Sequence, residues 1–286
     1  MLWLWIATGI WAFSFGLIKS RLAGLPALEV ASVRLALSLL AFLPLWRPFR
    51  GGETRALPNR LPVRLALIGA VQFGVMYALY IESFRLLSAY QVALYTVFTP
   101  IWVVILADGL AGRFRWRNGL AALLAAAGAA VVAGGGDPHG SLAGFLLVQG
   151  SNLCFAVGQV VYARVMAGVH PATERQGFAW LYLGGVVFLL GATLLWPGPR
   201  WVVPTPAQGL VLVYLGVVAS GLAFFCWNHG ALRVPAGLLA VMNNAKIPLG
   251  VLVALLVFGE HASPPRLCLS LVLMGAALGL VAWRDG

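Results

Sequence analysis

The sequence predicts an all-α polytopic membrane protein, with ten transmembrane helices arranged as two inverted five-helix repeats. Three observations carry that expectation. Of the 286 residues, 61% are hydrophobic and 9% are charged, against about 25% charged in an ordinary soluble domain. The apolar residues gather in ten runs near the length of about 20 residues that crosses a hydrocarbon core. The second half also repeats marks of the first after five runs, an odd number.

The runs follow in order. The first, 2–18, precedes Lys19 and Arg21. A cleaved signal would carry its cations in front and a small-residue cleavage site behind, so this run reads as a span. The second, 28–46, ends in the loop Arg47-Pro-Phe-Arg-Gly-Gly-Glu-Thr-Arg55. The third, 64–84, carries an aromatic stripe, and the fourth, 89–108, contains Pro100. Gly112-Arg-Phe-Arg-Trp-Arg117 separates it from the fifth, 117–133. Gly134-Gly-Gly-Asp-Pro-His139 then divides the chain into halves at 1–136 and 137–286. The sixth run is 141–163, and the seventh, 176–195, stops at Trp196-Pro-Gly-Pro-Arg-Trp201. The eighth is 207–229, the ninth 235–258 and the tenth 265–283. Glycine and proline punctuate these breaks as turn formers.

The net charge is +11. On a soluble protein this would point to nucleic acid; here the arginines sit in short loops, where they orient a membrane chain. Twelve Lys and Arg fall on the side of the N-terminus and five on the other, so both termini are expected in the cytoplasm. Cys154, Cys226 and Cys268 lie in apolar runs without metal-ligand spacing. They read as small buried hydrophobes, with no disulfide framework.

One offset of 148 places Arg85 on Arg233 and Pro100 on Pro248 without gaps. The stretch from Arg21 to Glu29 aligns with that from Arg164 to Glu174 if two gaps are allowed. Two five-span halves must insert with opposite topology, which is the inverted repeat of many secondary transporters, with the substrate site near the midplane.

Trp11-Ala-Phe-Ser14-Phe15 in the first span, Arg34 in Ala31-Ser-Val-Arg34-Leu and Pro248 with Leu256-Val-Phe-Gly259-Glu260 resemble the ten-helix EamA type of the drug/metabolite transporter superfamily. The resemblance covers nearly the whole chain. It implies two five-helix inverted repeats around a central cavity, alternating access, and transport, often export, of small metabolites across the cell membrane, here a bacterial inner membrane. The second half departs from the first in having Ala179 where the first has Arg34.

Lys246 lies ten or more residues from either end of the ninth run. A charge at that depth costs a few kcal/mol and usually faces a cavity or a partner. Residues three, four and seven apart share a helix face. That rule groups Phe73, Tyr77, Tyr80 and Phe84 in the third span, and Gln91, Tyr95, Phe98 and Trp102 in the fourth. The repeat offset carries these faces to Phe225 and Asn228 in the eighth span and to Asn243 and Lys246 in the ninth. Ser14 and Gln159 join from the first and sixth spans. Together Lys246, Asn243, Tyr95, Trp102, Tyr77, Phe225, Asn228, Gln159 and Ser14 form the expected substrate-binding set. The bland alternatives are an ion pair for Lys246 and helix packing for the aromatics. Arg34, Pro100, Pro248, Glu82 and His229 form the expected gating or coupling set: Arg34 as an outer gate or structural network, the prolines as kinks, and Glu82 or His229 as a proton carrier. Gly128, Gly184, Gly185, Gly275 and Gly279 are expected at close helix contacts.

A lysine beside aromatics suits a carboxylate with an apolar body. The expected substrate is a small carboxylate metabolite such as an amino acid, with protons as the coupling ion. The rival reading has Lys246 repelling cations, in an exporter of neutral or cationic drug-like compounds. No cofactor is expected. No phosphate loop, metal-spaced histidine cluster or nucleophile elbow is present in the sequence, which argues against an ATP-driven pump or an enzyme.

Overall fold

The computed structural model describes residues 1–22, 24–46, 60–83, 85–87, 92, 95–113, 115–133, 141–195, 202–257 and 264–282. Among them the chain is helical, and ten helical rods follow one another. They are α1 (Leu2–Arg21), α2 (Ala27–Phe42, continued by a 3₁₀ turn Leu43–Trp46), α3 (Leu61–Ser83), α4 (Thr99–Ala111) and α5 (Trp116–Ala133). The second series is α6 (Leu142–Val165), α7 (Pro171–Leu195), α8 (Pro206–Ala231), α9 (Ala236–Val257) and α10 (Pro264–Ala282). Four stretches are long and apolar enough to cross a bilayer by length and composition: Leu61–Ser83, Leu142–Val165, Thr173–Leu195 and Pro206–Ala231.

Local chemistry sets the ends. Thr205 caps α8 by a capping box: its hydroxyl accepts from the Gln208 N–H while the Gln208 side chain accepts from the Thr205 N–H. Ser141 caps α6 by accepting from the Gly144 N–H. α4 ends at Gly112, whose φ of +61° closes the left-handed C-terminal turn that a side chain would disfavour.

Two rods are wound wider in their middles. α3 is a π-helix over Ala70–Val75, and α8 over Tyr214–Leu222. π turns spoil the regular ladder and expose backbone acceptors. In α8 these acceptors are used. The Trp11 indole donates to the Ala219 carbonyl at 2.9 Å, Ser38 donates to the Gly216 carbonyl at 2.8 Å, and Tyr182 donates to the Ser220 and Gly221 carbonyls. Side chains of α1, α2 and α7 are thereby tied to one backbone segment.

Small residues bring rods together. A Cβ on Gly69 would overlap the Leu181 carbonyl, and one on Gly184 the Ala66 carbonyl, so α3 and α7 touch backbone to backbone. The Leu65–Gly177 and Gly74–Phe188 contacts show that the two run parallel. Gly216 likewise lets α8 approach Leu37 of α2. α5 and α10 pack together through Ala121, Ala125 and Ala277, with Val241 of α9 between them. By contrast, Gly275 and Gly279 face open space, so the close contact expected there is not made.

The two prolines sit differently in their rods. α4 begins at Thr99, with Pro100 in its first turn. Tyr95 and Thr96 are already helical and Val97 and Phe98 form a turn, so Pro100 sits where the rod resumes after a break, in a first turn that needs no N–H from it. Pro248 does lie inside a rod: α9 is continuous from Ala236 to Val257.

Candidate functional site

A cavity opens between α1, α2, α3, α4, α6, α8 and α9, large enough for several water molecules. Its walls sort by chemistry. Trp11, Tyr77, Tyr80, Phe155 and Phe224 supply aromatic faces. Thr96, Thr99, Ser151 and Ser14 supply hydroxyls, while Ile18 and Met76 are apolar. Arg34 and Lys246 are the charged residues among its lining, and no Asp or Glu is among them.

The cations are held differently. Arg34 is buried and anchored: Nε donates to the Ser220 hydroxyl at 3.1 Å and Nη2 to the Tyr77 hydroxyl at 2.9 Å. Tyr77 and Ser220 close the triangle at 3.0 Å. Lys246 instead points Nζ over aromatic rings, 5.7 Å from the centre of Trp11 and 6.0 Å from that of Phe155. Cation–π contact of this kind holds an ammonium without neutralising it. Among the described residues neither cation forms a salt bridge. Both therefore face the cavity with their charge uncancelled.

Lys246, Tyr77 and Ser14 of the expected substrate set meet at this cavity, as does Arg34 of the gating set. The other six members of the substrate set are not among its lining residues. Asn228 is fully buried and exchanges two hydrogen bonds with Gln72, Nε2 to Oδ1 at 3.0 Å and Nδ2 to Oε1 at 3.3 Å. Phe225 packs on Phe42, Phe178 and His229. The Trp102 indole donates to Gln149, and the Tyr95 carbonyl accepts from Gln149 and Asn152. Asn243 donates to Gln159 at 3.5 Å in a buried contact between α9 and α6. The polar groups among these bind one another across helices, with Gln159 Nε2 and Asn243 Oδ1 left without a partner among the described residues. Phe84, Gln91 and Glu260 lie outside the described residues.

Glu82 and His229 also lie away from the cavity. Glu82 pairs with Arg85 at 2.8 Å on an exposed helix end. His229 places Nδ1 3.0 Å from both oxygens of buried Glu174. Sequence reasoning missed Thr96, Thr99 and Ser151 as cavity residues. A signal existed: Thr96 and Thr99 are three apart ahead of Pro100, and Ser151 is one turn before Phe155.

The model of the EamA-like transporter family matches this chain twice, over residues 1–134 and 142–282. The chain belongs to the EamA-like transporter family. Relatives of this EamA-like chain include a probable biotin transporter of Pseudomonas aeruginosa, 40% identical over 281 residues, 97% of this chain and 96% of that protein. A biotin transporter of Escherichia coli is 36% identical over 275 residues, 96% of this chain and 90% of that one. An aromatic amino acid exporter of Ancylobacter novellus is 28% identical over 250 residues, 82% and 81% of the two chains. A crystal structure superposes with a TM-score of 0.79 at 20% identity, covering 99% of this chain and 96% of that one, a likeness of fold. With its apolar helices, this EamA-like protein is a multi-pass membrane protein.

Proposed function

We propose that this protein is a secondary carrier for a small, singly anionic carboxylate with a compact ring body, and that biotin is that solute. The observation that carries the reading is the pairing of Arg34 and Lys246 on a cavity whose lining includes no acidic residue. A carboxylate entering it would gain charge-assisted hydrogen bonds. The aromatic faces of Trp11, Phe155 and Phe224 suit the ring body, and Thr96, Thr99 and Ser151 offer partners to a ureido group. An amino acid would bring an ammonium as well, and two cations in one cavity repel it. That favours biotin over the amino acids expected from sequence. The names of the relatives at 40% and 36% identity point the same way.

Alternating access between inverted halves is the mechanism. It is supported by the two stretches matched by the family model and by the two π segments. Shifting Ala70–Val75 by the repeat offset carries it onto Val218–Ala223, which overlaps the π segment of α8. Rocking one half against the other would expose the cavity to each side in turn. Both termini then lie in the cytoplasm, so a reporter fused at Gly286 is active there.

The deciding experiment is counterflow of labelled biotin in proteoliposomes. Exchange that unlabelled biotin competes and biotin methyl ester does not supports the reading. Absence of exchange in well-folded protein removes biotin as the substrate.

A further inference from the structure

The two ends of the bundle hold their carboxylates differently. Where α7 begins, Glu174 is 2% exposed. It is met by His229 Nδ1 at 3.0 Å, by Arg233 Nη2 at 3.7 Å and by the Tyr162 hydroxyl, which donates to Oε1 at 3.5 Å. Trp3 of α1 meets His229 edge-on at 5.0 Å, and Phe225 stacks on it at 5.6 Å. Arg233 also donates to the His229 carbonyl at 2.6 Å, which closes the end of α8. At the other end, Glu29 accepts from the Val202 N–H at 3.1 Å, while Arg85, the repeat counterpart of Arg233, pairs with Glu82. One end is cross-braced from α7 to α8 by ionisable groups. Among the described residues its counterpart is not braced in this way.

The braced end is mechanically joined to the cavity. Phe224 lines the cavity on α8, five residues before His229. Trp11 lines it on α1, two turns beyond Trp3. A change in the hold of Glu174 on α8 therefore acts on two cavity walls.

We propose that Glu174 and His229 together form a proton-binding site, and that a proton entering it loosens the brace between α7 and α8 at this end of the cavity. The proposal rests on the reading of the protein as a carrier. Without the added proton, Glu174 is anionic, Nδ1–H of neutral His229 donates to it, and Arg233 balances the charge. The added proton comes from water and comes to rest on the Glu174 carboxyl, which His229 Nδ1 faces at 3.0 Å. The carboxylate is thereby neutralised, and its hold on Arg233 and on the Nδ1–H of His229 weakens. Arg233, with 42% of its side chain exposed, turns to water. Among the described residues, the other titratable groups toward this end are Arg164 at the end of α6, His170 before α7 and Arg175 on it, and Arg60 and Arg64 at the start of α3, all of them exposed. α1 contributes Trp3 and, at its N-cap Met1, the exposed α-ammonium. On the opposite face the proton leaves to water, and no other bond changes.

The test uses the full-length protein in two settings. In proteoliposomes, wild-type protein should accumulate labelled biotin when a pH gradient is applied; Glu174→Gln should keep counterflow and fall to the no-gradient level of accumulation. A Glu174→Gln protein that still responds to the gradient like wild type overturns the proposal. In purified protein without substrate, acidification should produce a protonated-carboxyl infrared band that Glu174→Gln lacks. If Glu174→Gln does not fold, His229→Asn must shift the pH at which the wild-type band appears, and an unshifted band overturns the proposal. Wild-type protein that shows the band but does not exchange biotin rejects biotin and retains the proton site. Biotin exchange with neither band nor gradient response rejects the proton site.

Discussion

Arg34 and Tyr77 are joined twice: Nη2 donates to the Tyr77 hydroxyl at 2.9 Å, and the guanidinium stands 4.9 Å from the centre of the same ring. The pair fixes the orientation of a buried cation at the cavity wall. Removing one acceptor from a buried charged donor costs about 1–3 kcal/mol. Tyr77→Phe keeps the ring and removes that acceptor. It should lower the melting temperature in detergent by a few degrees and weaken biotin binding by roughly tenfold. Arg34→Lys should lose more binding than Tyr77→Phe, because an ammonium cannot reach Ser220, Tyr77 and a carboxylate with one planar fork. Isothermal titration with both variants checks the order.

Which faces line the path can be read by thiol labelling in a cysteine-free background. Cysteines at Ser151 and Thr99 should react with small hydrophilic thiol reagents, and biotin should protect them. Cysteines at Phe225 and Asn228 should be inert in the folded protein. Phe225 is wedged among rings, and Asn228 is sealed against Gln72. Reactivity at Asn228 with silence at Ser151 would invert the assignment of the faces.

The contrast between Ser151 and Asn228 shows what the sequence could carry. The rods were legible because a bilayer imposes length and apolarity on each one, independent of its neighbours. Lys246 was legible because an uncancelled charge in such a rod is costly wherever it points. The facing of Asn228 was not legible. The repeat offset carried it over from α3, but the π segment of α8 runs nine residues, Tyr214–Leu222, against six in α3, Ala70–Val75, so the facing of the residues that follow is not conserved between the two rods, and Phe224 lines the cavity in place of Phe225. Arg34, expected as an outer gate or structural network, lies in a hydrogen-bonded network that also lines the cavity. In the structure Glu29 is used by the Val202 N–H, and Arg34 turns to Tyr77 and Ser220.

Close approach of α3 and α7 should make Gly69 sensitive to the smallest addition. Gly69→Ala places a methyl group on the Leu181 carbonyl, a backbone atom that cannot swing aside. Overpacking of this kind costs about 1–3 kcal/mol or more. Gly109→Ala is the control, since a Cβ there meets nothing within 4 Å. It should leave stability unchanged or raise it by about 0.5–1 kcal/mol. Thermal unfolding of the two variants in one detergent decides the matter; equal melting temperatures would mean that the rods are not in backbone contact.

Lys246 separates a role in binding from a role in stability. Its ammonium rests over Trp11 and Phe155, and among the described residues it has no carboxylate partner. Replacing an unpaired charge in an apolar setting by an unbranched apolar chain of similar length removes a desolvation cost without opening a cavity. Lys246→Met should therefore fold as well as wild type or better. It should also lose one charge-assisted contact to the substrate carboxylate, worth about 1.5–3 kcal/mol, or roughly 10- to 150-fold in affinity. The same substitution should leave binding of biotin methyl ester unchanged, because the ester offers no charge to Lys246. Parallel titrations of biotin and its ester against both proteins give the answer. An equal loss for acid and ester would mean that Lys246 shapes the cavity without recognising the carboxylate. New transport of organic cations by the variant would mean that Lys246 acts by repelling them.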